Sequence, residues 1–209
     1  MSLAVAVGFF GALCLGVEAF TRVARPAPEL ARKLAHMSAA VFAAALPLVL
    51  SFAQIAALGL VFAAAMTVSI RLRLLTSIHG VARTTYGEVL FPLGIAVLAL
   101  AVPRPLPFAY GVLVLGLGDG LAALVGMRLG TRVVPLLPTR KTLWGSGTFL
   151  AVTFGLGLAL LAAGGVAPVH AAVVAATIAV ALTPVELLLT YGLDNLFLPA
   201  LGGLLLAGL

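Results

Sequence analysis

Apolar residues run along this chain in long unbroken stretches, and polar residues collect in the short gaps between them. Eight stretches stand out, at about 2–20, 35–50, 52–70, 87–102, 107–127, 145–163, 167–188 and 192–209. None alternates apolar with polar positions, as the strands of a membrane barrel do. A continuous apolar run of this length predicts a helix, because only a helix satisfies its own backbone in lipid. The pattern predicts an all-α, polytopic transmembrane bundle of about eight helices, or seven if one of the shorter runs does not span. Residues 1–209 read as a single integral membrane domain with no soluble domain or long linker.

Composition agrees: 63% of the residues are hydrophobic, only 9% are charged, and the mean hydropathy is +1.26. A soluble domain carries about 25% charged residues. The formal charge is +6, and every basic residue except Arg104 sits in one of three loops, at about 21–34, 71–86 and 128–144. With eight spans these loops share one side, which the positive-inside rule makes cytoplasmic, and both termini fall on the outer side. Such clustering is a topology signal and does not point to nucleic acid. The single cysteine, Cys14, lies in the first apolar run and reads as a packing residue. The N-terminus lacks the positive n-region of a signal peptide, so the first run reads as a span.

The acids sharpen the picture. Glu18, Glu29, Glu88, Asp119, Glu186 and Asp194 all fall at or near the cytoplasmic ends of their spans in this topology. A transporter places polar groups along its whole path. Here the outer half is uncharged except for Arg104. The chain therefore reads as a site cut into the cytoplasmic side of a hydrophobic bundle, where a water-soluble reactant can meet a lipid one.

Residues 26–37, PAPELARKLAHM, carry a proline helix-start signal, with Glu29, Arg32 and His36 on one helical stripe and Lys33 beside it. These cations could serve lipid headgroups or an anionic ligand. Glu88 opens the fourth run, where an acid also suits the helix dipole. Asp119 lies deepest, about eight residues or roughly 12 Å from the polar end of its run. A carboxylate at such depth costs about 2.5–3.5 kcal/mol to insert and reads as functional by default. Gly116, Gly118, Gly120 and Gly126 surround it and permit close approach by a helix or a ligand.

After Asp119 come Arg140, Lys141 and Thr142, then Gly145 and Ser146 at the start of the sixth run. An acid able to hold a cation, followed by cations and a helix N-terminus, suits a metal-bound polyphosphate. The P-loop pattern is absent. Residues 184–199 add Glu186, Asp194 and Asn195, which could hold Mg2+ or orient a hydroxyl, although Asp194 could equally cap its helix. His79 and His170 stand alone and read as structural.

Five motifs in order, ARKLAHMS, TTYGEVLFPLG, GDGLAALVGMRLG, RKTLWGSGTF and VELLLTYGLDNLFLP, resemble the membrane lipid-alcohol kinases, the phytol, polyprenol, dolichol and CTP-dependent diacylglycerol kinases. The likeness covers about residues 29–199. It implies transfer of phosphate from a nucleoside triphosphate, preferably CTP, to the hydroxyl of an isoprenoid or related lipid alcohol, with a divalent cation, Mg2+ or another. Carried across by position, it implicates Asp119, Lys141, His36 and Glu88 in catalysis, and Asp119, Glu88 and Asp194 in holding the metal. It places Arg32, Lys33, Gly118, Gly120, Arg140, Lys141, Thr142, Gly145 and Ser146 around the nucleotide, with Glu186 and Asn195 as further polar groups. The chain departs from the pattern at Trp144, where the family has an acid before its glycine–serine element, and at Ala123, where the phytol-kinase version often has a second aspartate. The central motifs are also similar to those of phosphatidate cytidylyltransferases, but the C-terminal histidine–glycine–glycine and double-aspartate signature of those enzymes is missing. A cytidylyltransferase, and beyond it a transporter or scaffold, remain the competing expectations.

Overall fold

The computed structural model of the chain describes residues 5, 8, 11–12, 15–16, 19–20, 23–72, 86–130, 133 and 141–209. Most of the first predicted span lies outside them, as do Cys14, Glu18, Arg22, His79 and Arg140. The described residues contain helices α1 (Pro28–Ala45), α2 (Phe52–Arg71), α3 (Gly87–Ala101), α4 (Pro105–Leu113), α5 (Gly120–Leu129), α6 (Leu143–Ala163), α7 (Pro168–Leu188) and α8 (Asp194–Gly208). A π-helical turn, Val114–Asp119, joins α4 to α5, so Pro105–Leu129 is one continuous 25-residue rod.

The starts of these helices follow from local chemistry. Proline opens α1, α4 and α7, where its missing N–H costs nothing. Ser51 and Gln54 form a reciprocal capping box on α2. The Thr142 hydroxyl accepts from the Gly145 N–H at 3.1 Å and caps α6. The second apolar run differs from its predicted limits, because the amphipathic segment from Pro28 continues into it without a break. Its polar first two turns hide the start of the helix from a search for apolar residues alone.

Among the described residues, four helices are long and apolar enough to cross a membrane: Phe52–Arg71, Pro105–Leu129, Leu143–Ala163 and Pro168–Leu188. Gly87–Ala101 and Asp194–Gly208 are apolar but shorter. Large apolar side chains face outward, among them Leu48, Leu60, Val61, Leu100, Val169 and Val180, while the interior is rich in alanine around Phe108, Tyr110 and Phe149. This is how helices pack in lipid, where small residues allow backbones to approach and the surrounding solvent is itself apolar. The Pro105–Leu129 rod is central, touching α1, α6 and α8, while α2 packs on α3, α6 on α7, and α8 on α3.

The two ends of the bundle differ in character. At one end Arg104 donates to the Ala207 carbonyl at 2.8 Å. At the other, the Tyr86 N–H donates to the Tyr191 carbonyl at 3.0 Å, and the Asn195 amide donates to the Gly87 carbonyl, also at 3.0 Å. Glu88 and Asp194, the neighbours of Gly87 and Asn195 in the chain, lie at this second end.

Candidate functional site

The π-helical turn is the first element of the site. A π turn widens the helix by one residue, and such turns recur at functional positions. This one ends at Asp119, which is 6% exposed. Gly116 and Gly120 flank Asp119 against α1. A Cβ on Gly116 would stand 2.1 Å from the Ala40 Cβ, and one on Gly120 would stand 2.5 Å from the Met37 Cγ. Only glycine lets α1 lie this close. Lys33 shares the α1 face of Met37 and Ala40, four and seven residues away, so the close approach delivers its ammonium to Asp119. The Nζ donates to Oδ2 at 2.5 Å, and both side chains are buried.

A second buried pair forms between the N-terminal side of α6 and the end of α7. Lys141 donates to the Glu186 carboxylate through Oε1, and to the Glu186 backbone carbonyl at 2.6 Å. Glu186 is 3% exposed, and its Oε2 has no partner among the described residues. Pro184 lies inside α7 just before it and deprives the helix of one internal hydrogen bond there. A third pair is local: Arg32 grips Glu29 with two hydrogen bonds, at 2.6 and 3.1 Å, one turn apart on α1.

These pairs belong to one electrostatic cluster. Asp119 feels the charge of Lys141 as well as that of Lys33. Asp194, the first residue of α8, interacts with Asp119, Lys141 and Lys33, and Glu186 with both aspartates. Arg32 feels Asp119 and Asp194. Four carboxylates and three cations from five places in the chain therefore share one electrostatic cluster. Within it Asp119 binds Lys33 directly, and Lys141 takes Glu186. Packing sets this pairing, since α1 is pressed onto the π turn while Lys141 sits over the end of α7.

The remaining predicted residues take distinct positions. His36 rests its ring on Phe91, with centroids 4.4 Å apart, and its Nε2 is buried without a partner among the described residues. Asn195 bridges α8 to the Gly87 carbonyl, which brings Glu88, the next residue of α3, to the same end of the bundle. Its own N–H donates to Asp194 Oδ1 at 3.1 Å. Gly118 and Gly120 have packing roles: Gly120 against Met37, and Gly118 against Phe149 and Thr153. The N–H groups of Gly145 and Ser146 are taken by the Thr142 hydroxyl and carbonyl, so they are not open to an anion, as a bare helix N-terminus would be. The Ser146 hydroxyl remains buried and unpartnered among the described residues. Arg140 lies outside the described residues.

Sequence reasoning missed Thr153. It is fully buried in α6, its hydroxyl has no partner among the described residues, and its carbonyl accepts from Tyr110 at 3.3 Å. A lone threonine in an apolar run gives no periodic signal that could have pointed to it.

No family model matches the chain. Over 211 aligned residues it is 32% identical to phytol kinase from Synechocystis sp., covering 99% of this chain and 90% of that protein. The chain belongs to the polyprenol/phytol kinase family. No solved structure matches it. Within this family, the Trp144 departure has a structural counterpart, because Trp144 is 59% exposed and its side chain stands outside the buried cluster. Ala123 lies one helical turn after Asp119 and is only half-buried.

Proposed function

We propose that this protein is a membrane kinase that transfers the γ-phosphate of a nucleoside triphosphate, CTP by preference, to the hydroxyl of an isoprenoid or related lipid alcohol. The carrying observation is the buried convergence of Asp119, Glu186 and Asp194 with Arg32, Lys33 and Lys141 at one end of an apolar bundle. The family relationship to a phytol kinase supports the same reading. Phosphoryl transfer needs little covalent help from the enzyme. It needs positioning and charge stabilisation around the transferring group, which such a cluster can supply.

Among the described residues, no group of three His, Cys, Asp or Glu side chains is close enough to cage a metal ion. Mg2+ fits this arrangement nonetheless, because it is usually held by one or two carboxylates together with substrate phosphates. The unpaired Glu186 Oε2 and the mutual repulsion of the carboxylates also favour an added cation. Asp119 and Asp194 would hold it, with Glu88 and Glu186 nearby, and the ion would neutralise charge on the triphosphate.

In this reading, Lys33 and Lys141 rest on Asp119 and Glu186 and turn to phosphate oxygens when the nucleotide binds. Each lysine exchanges one anion for another, so neither is left as an unpaired buried charge. Arg32, oriented by Glu29, approaches the phosphates from α1. His36 and the Glu186 carboxylate are the groups placed to orient the acceptor hydroxyl. The reactants meet at the face that the positive-inside rule makes cytoplasmic.

The test is to supply purified protein with CTP labelled at the γ- or the α-phosphate, and with ATP, against a panel of lipid alcohols. Appearance of the γ label on the alcohol supports the kinase. Transfer of the α label assigns a cytidylyltransferase instead.

A further inference from the structure

A cleft opens between α1, α2 and α3, and only apolar residues line it, among them Phe42, Ala43, Leu46, Phe62, Phe91 and Ile95. It encloses about 330 Å³, counting the part open to the outside. Gly59 and Pro92 form its narrowest wall, where a Cβ on Gly59 would meet the Pro92 carbonyl at 2.6 Å. Among the described residues, no charged or hydrogen-bonding side chain lines it.

Its position relates it to the charged cluster. Phe91 lines the cleft and also carries the His36 ring at 4.4 Å. His36, its Nε2 buried and unpartnered among the described residues, therefore lies one side chain away from the cleft, against the Phe91 of its wall. On α1, His36 and Ala43 are seven residues apart and share a face, and Leu46 lies a further turn along. Along this side the cleft wall runs from Phe42 to Leu46, about 6 Å at about 1.5 Å per residue, and His36 lies about 9 Å nearer the ion pairs. A ligand that suits both parts has a single hydroxyl at one end and a flexible hydrocarbon chain behind it.

We propose that the cleft between α1, α2 and α3 holds the hydrocarbon chain of the acceptor alcohol, with His36, packed on the Phe91 of its wall, hydrogen-bonded to the hydroxyl. The assignment rests on the lipid-alcohol kinase reading and adds the place where the chain lies. It follows that the side chains of this cleft set which alcohols are accepted. Ala43 and Ile95 face the chain, and their volumes limit its length and branching.

Two measurements test the proposal. In the first, a prenyl alcohol with a photoreactive group at the far end of its chain is crosslinked to the purified full-length protein, and the adducts are mapped by mass spectrometry. Adducts on α1–α3 around Phe42, Leu46 and Ile95 that unlabelled alcohol suppresses are expected. Competed adducts mainly on other helices, or none that can be competed, overturn it. This arm does not depend on turnover, so it separates failure of the cleft from failure of the kinase reading.

The second compares Ala43→Phe with the unaltered protein on alcohols of one and four isoprene units. Filling the cleft is expected to lower kcat/KM for the longer alcohol by about tenfold or more, a size usual for apolar-pocket discrimination, and to change it little for the shorter one. Ile95→Ala, which removes volume, is expected to move preference toward bulkier chains and serves if Ala43→Phe does not fold. An unchanged chain-length preference in a folded variant of either kind overturns the assignment.

Discussion

Lys33 and Asp119, 86 positions apart in the chain, meet at 2.5 Å in a buried ion pair. A pair of this kind gains Coulomb energy only after both ions give up their hydration, and neutralising one partner leaves the other stranded. It is also the pair a nucleotide has to open in the proposed reaction. Stability and activity are therefore coupled at this point.

Asp119→Asn is expected to abolish phosphorylation, with a fall of at least about 100-fold, the usual scale for loss of a major electrostatic group. It is also expected to destabilise the fold by about 3–5 kcal/mol, because Lys33 is left unpaired. Lys33→Met combined with Asp119→Leu should recover much of that stability and none of the activity. Thermal unfolding in detergent alongside turnover separates the two effects. A fully active Asp119→Asn protein would remove Asp119 from the chemistry.

For Lys141→Met, the expected result is a KM for the nucleotide that rises more than the KM for the alcohol, together with a lower kcat. Lys141→Arg should keep part of the activity, since it retains the charge but not the compact ammonium that Glu186 receives. Steady-state kinetics with each substrate varied in turn decide this. An equal rise in both KM values would point to a structural role alone.

Chelating divalent cations is expected to stop turnover, and Mg2+ to restore it, without unfolding the protein. The described residues offer no cage of three metal-binding side chains, so the ion is expected to arrive with the nucleotide. Circular dichroism recorded with and without chelator, beside the activity assay, checks both halves. Full turnover after exhaustive chelation would exclude a metal role.

Asn195→Ala should destabilise the bundle by about 1–3 kcal/mol, the penalty for leaving the buried Gly87 carbonyl without its donor. Gly94→Leu should do more damage, because a Cβ there would sit 2.2 Å from the Asn195 carbonyl oxygen. Both changes act on the joint between α3 and α8 that brings Glu88 near Asp194. Denaturation midpoints of the two variants provide the comparison.

Trp144→Ala is expected to leave kcat within about threefold of its original value, since a surface substitution away from buried groups usually costs less than about 0.5 kcal/mol. The side chain is 59% exposed and stands outside the buried ion pairs. A loss of 100-fold would place Trp144 at the reacting centre. Turnover of the variant at saturating substrates is the measurement.

The sequence alone determined the helices and the short list of residues worth watching. Runs such as 52–70 and 167–188 correspond to Phe52–Arg71 and Pro168–Leu188, because an apolar stretch of that length has one backbone solution in lipid. Six acids in an uncharged background were conspicuous for the same reason: each is costly to bury and needs a partner. The choice of partner was not legible in the sequence. Asp119 meets Lys33 because Gly116 and Gly120 admit α1 to the π turn, and a contact between residues 86 positions apart leaves no local pattern. The apolar cleft beside His36 was hidden in the same way, since its walls come from three helices whose sequences look alike. Local periodicity set what each segment is, and only the packing of one helix against another decided which charges meet.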